Sequence, residues 1–228
     1  MIPVPDATIV RSEFDSAVFG VPFYRVTATD PAALPAAFQG LPAGPLIVDA
    51  KVAADAVDMI GALDSLGFRK ASTLVEFAAA PSGDAGQDDD VARMLDLSEA
   101  DLDEHARGFR FQRFRQDPRL PRERSMALMR QWIANSLGGR REVLALGRNF
   151  CTFAVDGGRL TIDLLSCPEA GRGMAGRLMR AVHAEAAARG CGEVRVTTEA
   201  ENTVAMRVYL RAGFLPVSSW AAMHLVRT

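Results

Sequence analysis

The sequence predicts an α/β (α+β) fold in two parts, because strand and helix signals alternate along its 228 residues. Three observations carry that prediction. Short apolar runs and period-two stretches alternate with stretches of helical period. The segment 81–90, "PSGDAGQDDD", breaks the composition. A glycine-rich loop, "GRGMAG" at 171–176, follows one of the strands and opens a long helix. The break, with its Pro, two Gly and three consecutive Asp, has no apolar periodicity and reads as an exposed linker over 83–90. It divides a small N-terminal α/β domain, 1–82, from a larger domain, 91–228.

In the first part, "FYRVTA" reads as a strand and "PLIVDAKV" as a buried strand. "AADAVDMIGALDSLGF" follows as an amphipathic helix, with Val57, Ile60, Leu63 and Leu66 on one side and Gly67 as its stop, and "STLVEFAA" as a further strand. In the second part, "DLSEADLDEHARGF" starts a helix with an acidic first turn. "RERSMALMRQWIANSLGG" is another helix, closed by Gly138 and Gly139. "CTFAVD" and "RLTIDLLSC", joined at Gly157 and Gly158, predict a hairpin. The glycine loop then opens a helix with Leu178, Met179, Val182 and Ala186 at core spacing. "EVRVTT" is a strand, "NTVAMRVYLRAG" a helix, and "FLPVSSWAAMHLVR" supplies one or two closing strands.

Composition excludes several function classes. A net charge of −2 and a pI near 6.0 leave no overall basic field for nucleic acid or an anionic membrane. Three cysteines, Cys151, Cys167 and Cys191, are odd in number and lack C-x-x-C spacing, which argues against a disulfide framework or a zinc site. The N-terminus has no basic stretch followed by an apolar one, and no uncharged apolar run reaches the ~18 residues of a membrane span. A soluble cytoplasmic protein without a metal is expected.

"GRGMAG" fits G-x-G-x-x-G, so it reads either as a dinucleotide fingerprint or as a cradle for another phosphate. Only about fifty residues follow Gly176, too few for further βαβ units. Glu199, the acidic residue available for a ribose, falls late, after "RVTT". The next helix supplies the other reading. Asn202, Ala205, Tyr209, Gly213 and Phe214 form N-x-x-A-x-x-x-Y-x-x-x-G-F, and Asn202 and Tyr209 lie two helical turns apart on one face. Asn202 suits an N-cap and Gly213 the residue past the helix end.

These residues resemble the GNAT superfamily of acyl-CoA-dependent N-acyltransferases. In its loop pattern Q/R-x-x-G-x-G/A, Gly173 and Ala175 match, while Ala170 stands where Gln or Arg is usual. The resemblance implies a GNAT-type domain with a mixed, largely antiparallel central sheet flanked by helices. It implies acetyl-CoA as co-substrate, its pyrophosphate held by the main chain of Gly171, Arg172, Gly173, Met174, Ala175 and Gly176. The strand around Leu165 and Ser166 would pair with the pantetheine amides. Beyond the superfamily, "EFDSAVFGVPFYRVT", "FQRFRQDPRLPRERSMALMRQWIANSL" and the C-terminal block are similar, in the same order, to the two-domain dTDP-fucosamine acetyltransferases. That similarity implies a primary amine as acceptor, with an amino-deoxysugar nucleotide ahead of a protein, amino-acid or xenobiotic amine. It leaves a homodimer open.

Tyr209 is the expected general acid, since a phenol with a pKa near 10 stays protonated and can donate to the leaving sulfur. Main-chain N–H groups near Leu165 suit the oxyanion. Asn202 holds the cofactor or orders its helix. Asp163 is the candidate base, or a strand carboxylate in a salt bridge. His105 and His183 read as surface or packing residues. Seven arginines between Arg107 and Arg124, interleaved with Phe109, Phe111 and Phe114, taken alone suggest single-stranded nucleic acid, but nearby Asp and Glu balance them. By the resemblance this region shapes the acceptor site, with Phe114 matching the motif and Arg113 either clamping a diphosphate or tying the segment to Asp117. A CoA-binding regulator without catalysis is the rival of another class, favoured by Ala170 and opposed by the Asn202–Tyr209 face.

Overall fold

The computed structural model describes residues 7–82, 88–168 and 171–228. Its elements run β1 (Ala7–Arg11), α1 (Glu13–Phe19), β2 (Phe23–Ala28), α2 (Leu34–Phe38), β3 (Leu46–Ala53), α3 (Val57–Ser65) and β4 (Arg69–Ala79). Then come α4 (Glu99–Gly108), α5 (Arg113–Gln116), α6 (Arg122–Asn135), β5 (Glu142–Leu146), β6 (Asn149–Asp156) and β7 (Arg159–Ser166). The chain ends with α7 (Met174–Ala188), β8 (Glu193–Glu199), α8 (Thr203–Arg211) and β9 (Leu215–Arg227). Of the segment expected as a linker, 83–87 lie outside the described residues; Asp88 and Asp90 both bind Arg177, at 2.6 and 2.7 Å.

Two compact units divide the chain, and they are interleaved rather than sequential. The first holds the residues up to 74 with 112–128 and 219–228; the second holds 75–111 and 129–218. Long-range pairing explains why the boundaries differ from a cut at 83–90. Strand β9 lies antiparallel on β3 from Leu46↔Arg227 to Ala53↔Trp220, which binds the C-terminus into the first unit. Phe114 binds the 112–128 segment there, with its ring 5.9 Å from Phe19 and 5.8 Å from Phe23.

In the first unit β1 pairs antiparallel with β2, and β2 parallel with β3. Alternate residues of β3 face opposite sides. Leu46, Val48 and Ala50 join Ala221, Met223 and Leu225 of β9 under Leu34, Phe38, Met59 and Leu63 of the helices. Ile47 faces the other way, into the cluster of Phe19, Phe23, Phe114, Leu120 and Leu128. Helix α3 forms where expected and stops at Gly67 (φ 89°), but its buried residues are Met59 and Leu63, while Val57 is 73% exposed. Val57, the first helical residue, stays outside the cluster that Met59 and Leu63 join and that Ile60 and Leu66 pack against.

Next to this aromatic cluster the first unit buries a set of charges. His224, fully buried on β9, has Nδ1 2.9 Å from Asp117 Oδ2 and Nε2 3.4 Å from Asp49 Oδ1. Arg119 donates to both carboxylate oxygens of Asp117 at 2.9 and 2.7 Å, and Arg113 donates to Asp49 at 3.1 Å. The His224 ring stacks on Phe114 at 5.1 Å, and the Arg113 guanidinium lies 4.4 Å from the centre of the same phenylalanine ring. Burial alone would push both carboxyls up. At Asp49 the Arg113 charge and the His224 bond outweigh it, at Asp117 the bonds from His224 and Arg119 do, and both carboxyls end well below the usual range.

The second unit orders its strands β4-β8-β7-β6-β5. The β5–β6 and β6–β7 pairs are antiparallel and β7–β8 is parallel, with β6 and β7 joined through Gly157 (φ 55°) and Gly158 (φ 75°) as the hairpin signal predicts. On one face α7 buries Leu178, Met179, Val182 and Ala186 against Phe153, Leu160, Ile162, Val194 and Val196. On the other, Leu102 and Ala106 of α4 and Met129 and Ile133 of α6 cover Phe150 and Leu164. The fold class is the expected one: mixed α/β, mostly antiparallel, with helices on its sheet faces.

Leu63→Ala removes a fully buried side chain and is expected to cost about 2–5 kcal/mol. Val57→Ala, on the same helix, stays within about 0.5 kcal/mol; urea unfolding of the two variants measures both. The low folded pKa values of Asp49 and Asp117 confer stability that is complete above the unfolded value of about 3.9 and is lost as pH falls through it toward the folded value. The stability gap between the wild type and Asp49→Asn is therefore widest near neutrality and narrows below about pH 4, read from denaturant midpoints across pH.

Candidate active site

The site is built around the end of β7. Its register against β6 runs Asp156↔Arg159 to Phe153↔Ile162 and resumes at Thr152↔Leu164, so Asp163 is the extra residue of a β-bulge. The bulge changes which way the strand faces. Before it, Leu160 and Ile162 pack with the α7 side; after it, Leu165 packs on that side, while Leu164 and Ser166 face α4. Pairing with β8 stops at Ile162↔Val196, although β7 continues to Ser166 and β8 to Glu199. Among the described residues, the two strands thus part, and the β7 edge from Asp163 to Ser166 is open toward the gap.

The glycine loop leads from that edge into α7. Gly171 (φ 81°) and Gly173 (φ 72°) adopt left-handed conformations that side chains disfavour. Gly173 caps α7 without a side-chain bond, and the first intrahelical bond is Arg177 N–H to Gly173 C=O at 3.1 Å. The amides of Met174, Ala175 and Gly176 therefore lack intrahelical acceptors at the positive end of a fifteen-residue helix. Free amides at such a helix start suit an anion. A side chain at Gly176 would meet only the Arg180 guanidinium, at 4.0 Å. Ala170, the departure from the family pattern, lies outside the described residues; Arg172 is exposed beside the loop.

Helix α8 supplies the phenol. Asn202 caps it, accepting from Ala205 N–H at 3.3 Å and donating to Thr198 Oγ1 at 3.1 Å, and so joins α8 to the end of β8. Two turns on, Tyr209 is buried with Phe77 and Phe214 at 5.8 and 6.0 Å, in the cluster that Leu165 and Cys167 flank. Burial pushes its phenol well above the ordinary value, helped by Cys151, Glu199 and Cys167 nearby, so it is neutral and a proton donor at physiological pH. Cys167 is pushed up to about 12 by burial and is not a thiolate nucleophile.

Asp163 is engaged elsewhere. Its Oδ2 accepts from Trp132 Nε1 at 3.0 Å and Ser136 Oγ at 3.4 Å and lies 3.4 Å from Arg141, ties that fix α6 and the turn after it to the bulge. Arg113 and Phe114 belong to the first unit's buried cluster: Phe114 is 1% exposed, and Arg113 pairs with Asp49, whereas Asp117 takes Arg119. Phe109 packs against the α4 cluster and Phe114 into the aromatic one, so these two rings serve packing rather than an exposed stacking surface. A cavity of about 580 Å³ in the first unit, lined by Thr29, Lys51, Asp55 and Trp220, contains none of the expected site residues.

His105, expected as a surface or packing residue, is buried. It is 1% exposed on α4, with Nδ1 2.7 Å from Ser166 Oγ and its ring 5.0 Å from Phe150. The signal was present in the spacing of Leu102, His105 and Ala106, which puts the imidazole on the inward face. Among the described residues, no group of three or more His, Cys, Asp or Glu is placed to hold a metal, and no helix is long and apolar enough to cross a membrane.

Residues 166–214, from the end of β7 through α8, match the model of the acetyltransferase (GNAT) family. Among solved structures, a GCN5-related N-acetyltransferase from Sphaerobacter thermophilus superposes with a TM-score of 0.59 at 16% identity, covering 96% of this chain and 76% of that one. One from Kribbella flavida gives 0.55 at 14% identity, covering 98% and 88%. An acetyltransferase of the GNAT family from Novosphingobium aromaticivorans gives 0.53 at 19%, covering 90% and 84%. Comparison with curated proteins found no match. The stretch from the end of β7 through α8 thus matches the GNAT acetyltransferase family model, and the fold is similar to that of solved structures described as GNAT acetyltransferases.

Proposed function

We propose that the protein is an N-acetyltransferase that moves the acetyl group of acetyl-CoA directly onto a primary amine, with Tyr209 as general acid. One observation carries the reading: an open strand edge, an uncapped helix N-terminus and a neutral buried phenol follow one another along a single stretch of chain. Each suits a different part of one ligand. The open edge of β7 offers strand-like hydrogen bonds to the amides of pantetheine. The amides of Met174, Ala175 and Gly176, with Gly171, Arg172 and Gly173 shaping the turn, suit the pyrophosphate. The GNAT fold supports acetyl transfer in general, and acetyl-CoA is the co-substrate the family uses.

In this reading the amine attacks the thioester carbonyl beside Leu165, whose main chain steadies the developing oxyanion. As the carbon–sulfur bond breaks, Tyr209 gives its proton to sulfur. Asn202 acts by holding α8, and so Tyr209, at the end of β8. An amino-deoxysugar nucleotide is the acceptor we infer, on the strength of the sequence resemblance of the N-terminal and 111–137 segments to dTDP-fucosamine acetyltransferases. Arg113 and Phe114 then serve by fixing the 112–128 segment.

Tyr209→Phe is expected to lower turnover by about 10²-fold or more while acetyl-CoA affinity, measured by calorimetry, holds. Turnover that survives with the chemical step limiting removes the general-acid role. Gly173→Ala forces a side chain into the left-handed region, a strain of about 1–2 kcal/mol, and is expected to weaken acetyl-CoA binding by about tenfold.

A further inference from the structure

The end of β7 holds a second titratable unit on the side away from Tyr209. The bulge at Asp163 turns Leu165 toward the phenol's cluster and Ser166 toward α4, so adjacent residues at the open edge serve opposite faces of the sheet. Ser166 Oγ meets His105 Nδ1 at 2.7 Å, the spacing of a strong hydrogen bond, and both residues are more than nine-tenths buried. His105 Nε2 is buried without a partner among the described residues, and so is the hydroxyl of Thr152, which alternates with Cys151 and shares the Phe150 face of β6. The carboxylate on the same strand, Asp163, has its Oδ2 taken by Trp132, Ser136 and Arg141.

We propose that Ser166 and His105 form the proton relay that deprotonates the attacking amine, with Ser166 touching the nucleophile and His105 acting through it. This rests on the acetyltransferase reading and assigns the base that reading lacks. With the His105 proton on Nε2, Nδ1 accepts the hydroxyl proton of Ser166. The amine nitrogen bonds to the carbonyl carbon and passes its proton to Ser166 Oγ, as the Oγ–H proton moves to Nδ1. The carbonyl electron pair shifts to oxygen and returns as the carbon–sulfur bond breaks, and the sulfur leaves with the Tyr209 proton. After the products leave, His105 returns its proton through Ser166 to water in the opened site, Tyr209 regains one from water there, and no oxidant or further reactant is needed.

The imidazole is suited to this role. Burial, with the positive charge of Arg148, draws its pKa below the ordinary value, against the weaker opposite pull of Glu104 and Asp101, so it is neutral and able to accept at physiological pH. Phe150, packed on the ring, and the carbon side chains of Leu102 and Leu164 keep that face apolar.

The test uses the full chain, acetyl-CoA, and release of the CoA thiol with glucosamine, spermidine, a lysine peptide or water alone as acceptor. Calorimetry with acetyl-CoA is run first: a wild type that fails to bind it sinks the acetyltransferase reading itself. With binding established, His105→Gln, which keeps a hydrogen bond to Ser166 but takes no proton, is expected to release thiol at least about tenfold more slowly. Its acetyl-CoA affinity should be unchanged, and the acid limb of the kcat/KM profile lost. Ser166→Ala, which leaves the main chain of β7 intact, should match it if His105→Gln does not fold. Thiol release at wild-type rate in both variants, an unchanged acid limb, or binding without release from any acceptor including water overturns the relay.

Discussion

Past Ile162 and Val196, strands β7 and β8 stop sharing hydrogen bonds, and the rest of the site depends on that parting. An extended chain with an open edge has main-chain groups that need partners, and inside a sheet such an edge is rare unless a ligand supplies them. The cause is local. One extra residue, Asp163, sharpens the twist of β7, and its carboxylate is held by Trp132, Ser136 and Arg141 so that the distortion stays put. Asp163, which the sequence offers as a base or as a salt-bridge carboxylate, thus fastens the bulge. Its consequence is that Leu165 and Ser166 look to opposite faces, toward a phenol on one side and an imidazole on the other.

The first unit uses its charges differently. Two buried carboxylates and a buried imidazole meet two half-buried guanidiniums where β3, β9 and the 112–128 segment come together. Removing one partner of such a set leaves an uncompensated charge, which typically costs about 3–5 kcal/mol. The cluster therefore fixes the interleaving of the chain: the middle segment and the C-terminus are bound into the first unit by charge as well as by the Phe19, Phe23 and Phe114 rings. Arg113 and Phe114 resemble recognition residues in the sequence because an arginine beside an aromatic suits a ligand and a core cluster equally well.

Local signals were legible and non-local ones were not. The spacing of Leu178, Met179, Val182 and Ala186, the Gly157–Gly158 hairpin and the capped helix from Asn202 to Gly213 all rest on neighbours within a few residues, and each is present in the structure. The glycine loop was legible for the same reason, since left-handed turns at Gly171 and Gly173 need no distant partner. The bulge had no sequence mark, because it exists only relative to the register of β6. The interleaved units depend on β9 returning to β3 across some 170 residues. Which carboxylate Arg113 would choose, Asp49 or Asp117, was decided by the same return, which puts His224 between them.

The central claim is that free amides at the start of α7 hold the phosphates of an acyl-CoA while the open edge of β7 holds its pantetheine. Main-chain amide spectra recorded during a titration with acetyl-CoA test it most directly. The account predicts saturable shifts concentrated at Leu164–Ser166 and Gly171–Gly176, with Tyr209 perturbed and the Asp49–His224 cluster still. Shifts centred away from α7 and β7, or none at saturating acetyl-CoA, would contradict it.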